Sequence, residues 1–383
     1  MTLRDALGRF ATSLSVLQDP DDVKRVTKEI CEDAIHNSIS NLEIRFAPQL
    51  HKGAPIEEII DASIEGLSDN ANLIAVASTS NEKLIKFKQN FNIEKENLYN
   101  SYQKLLENED IDIVYIALPN SFHFEWILKA IEKNKNILVE KPAFVSLKEA
   151  EIIFNHKNLK NIFFGEGYMY RYHPQISEMI KIIKSSGIGK PISMESNFGI
   201  KFIKKKNFFS LRKKIDKNKR IFNKKLGGGV ILDLGCYTTS MSLLVASLID
   251  NLDMTNYKLT DIQTDYLYSD IDVHSFAKIN FDNKFISNIT VSFRDDIGKK
   301  TVILGENGKI ILENIWNSEQ PKIEIVGKTN KIVNFENQKN IYSLEIENIS
   351  KDIIDNKIES SFPGINKKEI LFNTKLINSW INE

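Results

Sequence analysis

Three polar residues have the types and the spacing that chemistry at an alcohol carbon needs. Lys141 follows residues 136–139, an apolar run that predicts a buried parallel strand, and open α/β sheets bind ligands beyond the carboxyl ends of their strands. A lysine there can orient a hydroxyl group and stabilise negative charge that develops on its oxygen. Asp233 and Tyr237 are four residues apart in a predicted helix, so both side chains lie on one face. The structural alternatives are a solvated lysine, a capping aspartate and a packing tyrosine.

The segments before and after Lys141 alternate between predicted strands and helices. Runs such as IDIVYIAL and NILVE are apolar on both faces, as parallel strands covered by helices must be. The pattern therefore predicts a doubly wound α/β domain. Its predicted strands cover 72–78, 111–118, 136–139 and 162–165, and its predicted helices cover 80–90, 101–108, 121–134 and 146–155.

The second half of the chain has a different period. Residues 273–281 and 285–293 alternate between apolar and polar side chains, which predicts a β-hairpin. Asn307 and Gly308 predict the turn of a second hairpin. An antiparallel sheet with one face covered by helices should result. The last predicted helices cover 342–357 and 366–381.

Composition excludes several classes of function. The chain has 383 residues, of which 51 are basic and 51 acidic, so no net field draws it to nucleic acid or to a membrane. Its two cysteines are far apart in sequence and provide neither a disulfide framework nor a metal-ligand spacing. No apolar run approaches the ~18 residues that span a bilayer, and the N-terminus has no signal-peptide pattern. We therefore expect a cytoplasmic protein without a metal site.

One segment departs from this balance of charge. Residues 201–225 contain ten Lys and two Arg against one acidic residue. Such runs are usually solvated loops, and no base-stacking pattern accompanies this one. It leaves two minor alternatives: an anionic substrate such as a sugar nucleotide or phosphate, and a binding module that acts through this loop.

The segments that carry the candidate chemistry resemble one enzyme family. Residues 111–142 (IDIVYIALPNSFHFEWILKAIEKNKNILVEKP), 165–174 (GEGYMYRYHP) and 226–240 (LGGGVILDLGCYTTS) resemble, in this order, the Gfo/Idh/MocA family of glucose-fructose oxidoreductase and inositol dehydrogenase relatives. The resemblance covers roughly residues 70–383. It implies an oxidoreductase that moves a hydride between NAD or NADP and a sugar-like or cyclic alcohol carbon.

The same resemblance implies roles for individual residues. Lys141 would reach the reacting hydroxyl, Tyr237 would be the general acid/base whose pKa Lys141 lowers, and Asp233 would orient the substrate or the lysine. The glycines at 227–229 would let the backbone approach the pocket. The residues near the nucleotide include neither Arg nor Asp at 78–80, so the choice between NAD and NADP stays open. The implied dinucleotide contacts are Ser78, Thr79, Ser80, Leu118, Pro119, Asn120, His123, Glu140 and Pro142. The implied substrate contacts are Tyr168, Arg171 and His173. A capping or core position is the alternative for His123, and a core position is the alternative for the residues from Tyr168 to His173.

The N-terminal residues lack the glycine-rich turn with which such domains begin. A pyrophosphate needs a Gly-x-Gly-x-x-Gly turn at a helix N-terminus, but only Gly8, Gly53 and Gly66 occur before residue 165. Residues 2–67, above all NLEIRFAPQLHKGAP at 41–55, instead resemble an internal fragment of adenosine deaminase.

This fragment resembles a structural part of the deaminase. Deaminase activity is rejected because the zinc-binding segments are absent. We predict that strand 41–47 and helix 55–67 replace the missing first strand and helix, since both parent folds consist of parallel βα units. Glu57 and Glu58 in the first turn of that helix disfavour a pyrophosphate, so cofactor binding should be weakened or lost.

Together these patterns predict an α/β Rossmann-like parallel sheet domain, followed by an α+β domain with a large, mostly antiparallel sheet. The predicted domains are a helical arm at 1–40, a dinucleotide-binding domain at 41–145, and a substrate and oligomerisation domain at 146–383 whose last helices pack back on the first domain. The predicted function is NAD(P)-dependent oxidation or reduction of a sugar or polyol by a homo-oligomer. The alternative is a non-catalytic hybrid of two gene fragments that keeps the substrate pocket and lacks a competent cofactor site.

Overall fold

A computed structural model describes residues 74–91, 93–203, 219–267, 270–316, 321–327, 330–335 and 341–382. The predicted arm at 1–40, strand 41–47 and helix 55–67 lie outside these residues, as does most of the basic segment. The chain divides into two compact units, one of residues 1–114 with 342–356 and one of residues 115–341 with 357–383.

Regular elements within the described part of the chain agree closely with the predicted strands and helices. The strands are β1 (Val76–Ala77), β2 (Leu98–Tyr99), β3 (Ile113–Ile116), β4 (Asn136–Glu140), β5 (Phe164–Gly167), β6 (Pro191–Gly199), β7 (Tyr257–Leu267), β8 (Ile271–Phe281), β9 (Phe285–Ser292), β10 (Lys300–Gly305), β11 (Gly308–Glu313), β12 (Lys322–Val326) and β13 (Lys331–Asn334). The helices are α1 (Asn81–Phe91), α2 (Tyr102–Leu106), α3 (His123–Glu132), α4 (Leu147–Phe154), α5 (Pro174–Lys184), α6 (Cys236–Ala246), α7 (Ile341–Ile354) and α8 (Lys367–Asn382).

The first unit contains a short parallel sheet. β1 and β2 pair in parallel, with Val76 opposite Leu98, and α1 connects them. Helix α2 begins after Ser101, whose side chain accepts a hydrogen bond from the Lys104 backbone N–H and so satisfies a donor at the helix start. Strand, helix and parallel strand follow one another here as the alternating pattern predicts.

The second unit contains the sheet that ends at Lys141. Its strands lie in the order β3, β4, β5, and β4 and β5 are parallel, with Leu138 opposite Gly165. Helix α3 packs against β4, and α8 packs against β5 and α4. Ile137, Leu138 and Val139 are fully buried, so both faces of β4 are covered.

The larger sheet of the second unit has eight strands in the order β13, β12, β11, β10, β6, β9, β8, β7. Only the pairing of β6 with β9 is parallel within this sheet. The buried helix α6 packs against β6 and β9. A parallel α/β layer and a mostly antiparallel sheet confirm the fold class predicted from the sequence.

The second predicted hairpin forms with its turn one residue earlier than expected. Gly305 pairs with Gly308, so Glu306 and Asn307 make the turn between β10 and β11. The Asn307 N–H donates to the Ile188 carbonyl at 2.8 Å, and a Cβ at Gly305 would lie 2.3 Å from the same oxygen. Close packing on Ile188 therefore fixes a glycine at 305 and places the turn.

One stretch of the described residues, Lys224–Ala246, is long and apolar enough to cross a membrane. It is completely buried inside the protein, as the central helix of a folded domain would be. This burial makes the stretch weak evidence for a membrane span.

Candidate active site

Lys141 stands at the carboxyl end of β4, where the sequence predicts a ligand site. Its Nζ donates a hydrogen bond to the backbone carbonyl of Asp233 at 3.0 Å, and its side chain keeps 13% of its surface exposed. Burial disfavours the ammonium, but the attraction of nearby acidic groups, first of all Asp233, outweighs burial and raises the pKa of Lys141. Lys141 is therefore a cation at neutral pH.

Asp233 lies in a π-helical turn, Ile231–Gly235, directly before α6. Such turns are rare and occur often at functional sites. Its Oδ1 accepts a hydrogen bond from Arg220 Nη2 at 2.7 Å and lies 3.9 Å from Lys141 Nζ. Burial favours the neutral acid, but Lys141 and Arg220 outweigh it and lower the pKa of Asp233. The site thus holds one carboxylate between two cations.

Tyr237 lies in the first turn of α6. The Lys141 Nζ stands over its ring, 4.5 Å from the centroid, as in a cation–π contact. The phenol oxygen lies 3.6 Å from Met169 Sδ. The structure therefore brings Lys141, Asp233 and Tyr237 together, with the ring face of the tyrosine toward the ammonium. The aromatic side chains around the ring are Tyr168, Tyr170, Phe198 and Trp316.

The glycine run before this helix allows close approach between protein segments. Gly227 has a φ of 74°, and its carbonyl accepts a hydrogen bond from Asn120 Nδ2 at 3.0 Å. A Cβ at Gly229 would lie 2.2 Å from Asp272 Oδ1. The run therefore packs on protein neighbours, whereas the sequence predicted approach to a ligand.

His123 lies between the loops that follow β3 and β4. Its Nε2 is 2.8 Å from the Leu118 carbonyl oxygen and its Nδ1 is 3.0 Å from that of Pro142. The ring is fully buried. This burial favours a role in joining the two loops over the predicted direct contact with a dinucleotide.

The remaining predicted cofactor residues differ in accessibility. Leu118 and Pro119 are half-buried, so they can still meet a ligand, whereas Pro142 is buried. Glu140 is half-buried and its Oε1 accepts a hydrogen bond from the Tyr115 phenol. Asn120 is buried, and its side-chain amide donates a hydrogen bond to the carbonyl of Gly227.

Ser78, Thr79 and Ser80 follow β1 in the first unit. The Ser78 N–H donates to the Tyr99 carbonyl at 3.0 Å, and the Ser78 hydroxyl accepts from the Ser80 N–H at 3.1 Å. Thr79 is exposed. Their predicted contact with the nucleotide stays a prediction.

The residues predicted to contact substrate lie in the interior. Arg171 is fully buried, and its guanidinium donates to Glu369, to Ser240 and to the Pro363 carbonyl. The protein itself thus holds this guanidinium, and the predicted substrate contact of Arg171 stays a prediction.

Tyr168 and His173 are buried in the same region. The Tyr168 phenol accepts a hydrogen bond from Asn373 Nδ2 at 2.9 Å. His173 caps α5, since its Nδ1 accepts from the Gln175 N–H at 3.0 Å, and burial lowers its pKa to about 4. Both residues thus make hydrogen bonds within the protein, and their predicted substrate contacts stay predictions.

Glu166 is a buried acid close to Lys141 that the sequence did not single out. It lies on β5, and its Oε1 accepts a hydrogen bond from the Ala143 N–H at 2.7 Å. Burial, opposed by that hydrogen bond and by Arg171, raises its pKa to about 8. A neutral carboxylic acid at pH 7 therefore supports the segment that carries Lys141. The sequence offered one signal, a glutamate inside an otherwise apolar strand.

Glu166 should make the stability of the protein depend on pH. Between its ordinary pKa of 4.5 and the folded value of about 8, the unfolded chain releases the proton while the folded protein keeps it. Stability should therefore fall as the pH rises through this window and level off above it. Relative to Glu166→Gln, which cannot ionise, the wild type should lose on the order of 3 kcal/mol between about pH 5 and about pH 8. Urea unfolding of both proteins measures this difference, and an equal difference at both pH values would contradict a buried neutral acid.

Two family models match this chain. Residues 60–168 match the GFO/IDH/MocA oxidoreductase family with its NAD-binding Rossmann fold, and residues 176–311 match the GFO/IDH/MocA C-terminal domain. The chain carries both domains of this family. The first match confirms the predicted class of cofactor, a nicotinamide dinucleotide.

The GFO/IDH/MocA matches begin at residue 60. The resemblance of residues 2–67 to adenosine deaminase stays a prediction, because it falls almost entirely before this point and outside the described residues. The two family models divide the chain between residues 168 and 176, and the compact units divide it after residue 114. The predicted domain boundaries at 40 and 145 correspond to neither division and stay predictions.

Curated relatives of these GFO/IDH/MocA domains include dehydrogenases and a reductase. A trans-1,2-dihydrobenzene-1,2-diol dehydrogenase from Xenopus tropicalis is 30% identical over 45% of this chain and 48% of its own length. A D-xylose 1-dehydrogenase (NADP(+)) from Haloferax volcanii is 30% identical over 44% and 48%. A dTDP-3,4-didehydro-2,6-dideoxy-alpha-D-glucose 3-reductase from Saccharopolyspora spinosa is 32% identical over 43% and 45%. The chain thus matches about half the length of these curated relatives.

Solved structures show the same GFO/IDH/MocA fold. A 3-ketoreductase from Actinomadura kijaniata in complex with NADP and TDP-benzene has a TM-score of 0.67 at 19% identity, over 81% of this chain and 88% of that one. An aldose-aldose oxidoreductase from Caulobacter crescentus complexed with glycerol has a TM-score of 0.69 at 19% identity, over 82% and 89%.

Proposed function

We propose that the protein is an NAD(P)-dependent oxidoreductase that interconverts a CH–OH group of a sugar or cyclic diol and the corresponding carbonyl. The observation that carries this proposal is the cluster of Lys141, Asp233 and Tyr237 at the carboxyl end of β4. The relatives named above support the substrate class, since their names specify a diol, a xylose and a dTDP-sugar.

Lys141 would bind the oxygen of the reacting carbon. Its raised pKa keeps the ammonium charged, so it can donate a hydrogen bond to that oxygen and stabilise negative charge on it. The phenol of Tyr237, on α6, is the group proposed to hold or move the hydroxyl proton. Asp233 would fix the ammonium through its backbone carbonyl.

The chemistry of the loops fits the nicotinamide half of the cofactor. Leu118 and Pro119 present half-buried apolar surface after β3, and Lys141 stands after β4. His123 joins both loops, so they lie at one edge of the sheet. A bound nicotinamide would accept or supply the hydride of the alcohol carbon. The loop residues would orient its ring, and their apolar surface would exclude water.

Cofactor binding decides between this enzyme and the non-catalytic alternative. Isothermal titration with NADH and NADPH should show a dissociation constant below ~1 mM for at least one of them. Leu118→Asp places a negative charge in the loop, whereas Leu118→Asn introduces a neutral side chain of the same shape as aspartate. The Asp variant should therefore weaken cofactor binding about tenfold more than the Asn variant. No heat at millimolar cofactor, from protein shown to be folded, would contradict the proposal. It would favour the hybrid without a competent site, which the missing glycine-rich turn suggests.

A further inference from the structure

Arg220 contacts the proposed site although it lies in the basic segment, outside the residues that the sequence singled out. It begins the short helical turn Arg220–Phe222, and a second short turn, Lys224–Leu226, connects this turn to the glycine run. Its Nη2 donates to Asp233 Oδ1 at 2.7 Å. The Arg220 side chain is 37% exposed, whereas that of Asp233 is only 10% exposed. A carboxylate at the centre of the site is thus paired with a cation that reaches it from the surface.

Arg220 and Lys141 compete for the same carboxylate oxygen. Lys141 Nζ lies 3.9 Å from Asp233 Oδ1, beyond hydrogen-bond distance, and donates to the Asp233 backbone carbonyl at 3.0 Å instead. The short, charge-assisted hydrogen bond of this carboxylate therefore belongs to Arg220. Without Arg220, the carboxylate would attract Lys141 into a direct ion pair, and that pair would use an N–H that a substrate oxygen needs.

The charges around Lys141 give the competition a measurable consequence. Asp233 raises the pKa of the lysine and Arg220 lowers it. Removal of Arg220 takes away a repulsive charge and leaves Asp233 to the lysine alone, so the pKa of Lys141 should rise further. Among the described residues, the titratable and charged groups around Lys141 include Glu140, Glu166, Arg220, Asp233, Cys236 and Tyr237.

We propose that Arg220 is a positioning residue that occupies the carboxylate of Asp233 and thereby keeps an N–H of Lys141 for the oxygen of the substrate. The inference rests on the proposed function for its catalytic consequence. The competition for Asp233 itself is independent of any turnover. Arg220 acts through Asp233, so its effect should fall on the rate of the chemical step more than on substrate binding.

Two variants and a control test this role by kinetics. Arg220→Gln should lower kcat about 10- to 100-fold, because the Lys141 ammonium would no longer be aligned with the substrate oxygen. KM should change less than about threefold. Arg220→Lys keeps a cation beside Asp233 and should recover most of the rate. Lys219→Gln removes the neighbouring, exposed cation and should leave both constants unchanged. Circular dichroism establishes that each variant is folded, and Arg220→Met, which also removes the charge, carries the test if Arg220→Gln is not folded.

Chemical labelling tests the competition without any turnover. At about pH 9, peptide-resolved acetylation of Lys141 by acetic anhydride should be about tenfold slower in Arg220→Gln than in the wild type, since one unit of pKa changes the neutral amine tenfold. Exposed Lys258 is the internal standard.

The outcomes separate the two proposals. If labelling of Lys141 is slower in Arg220→Gln than in the wild type, but the wild type shows no turnover, the proposed function fails and the role of Arg220 stands. Unchanged or faster labelling in Arg220→Gln would overturn the role of Arg220. So would a variant whose loss lies wholly in KM, because Arg220 would then bind substrate directly.

Discussion

Replacing Lys141 by alanine is expected to abolish turnover and to leave the fold almost unchanged. The lysine supplies the ammonium that meets the oxygen of the reacting carbon, and loss of one such donor costs about 10²- to 10³-fold in rate. Asp233 keeps its hydrogen bond to Arg220 in the variant, so no buried carboxylate is left alone. The free energy of unfolding should therefore change by less than about 1 kcal/mol.

Steady-state rates and thermal unfolding measure the two halves of this prediction. Lys133→Ala is the matched control, because Lys133 is exposed at the amino end of β4 and Lys141 stands at its carboxyl end. Lys141→Met separates the charge from the packing of the aliphatic stem and should be as inactive as alanine. A large loss of stability in both Lys141 variants, or retained turnover, would show that the lysine is structural.

Replacing Arg171 by methionine is expected to have the largest effect on stability. Its guanidinium is fully buried and donates to Glu369 Oε1 at 2.5 Å, so the change leaves a largely buried carboxylate without its cation. Loss of one partner from a buried ion pair costs about 3 to 5 kcal/mol. Urea unfolding at neutral pH measures the loss, and KM for any substrate should change little because Glu369 and Ser240 hold the guanidinium inside the protein.

A double variant separates the charge from the packing at this position. Arg171→Met combined with Glu369→Gln leaves no unpaired charge and should recover part of the lost stability. If Arg171→Met lowers the free energy of unfolding by less than about 1 kcal/mol and raises KM strongly, Arg171 binds substrate, as the sequence indicated.

The sequence predicted the elements of the α/β layer because their signal is local. NILVE at β4 is apolar on both faces, and the structure buries both. The position of Lys141 after that strand then follows from a rule of the fold, since parallel strands present their carboxyl ends to a common edge. Asp233 and Tyr237 were predictable for the same reason, as neighbours on one helical segment.

The contacts that the sequence did not predict depend on packing between distant segments. Arg171 lies in a motif near the site, but its partner Glu369 lies on α8, so this contact cannot be read from adjacent residues. The glycines at 227–229 fit the backbone against Asn120 and Asp272, which are remote in sequence. Arg220 escaped notice because it is one of twelve cations in a single segment, and only the folded chain shows which of them reaches Asp233.

One imidazole ring governs how the edge of the α/β sheet can move. The two ring nitrogens of His123 lie within hydrogen-bond distance of the carbonyl oxygens of Leu118 and Pro142. The two loops are thereby mechanically coupled: displacement of either one stretches a bond to the other. A molecule that displaces the Leu118 loop should therefore also shift the backbone next to Lys141, without contacting that residue.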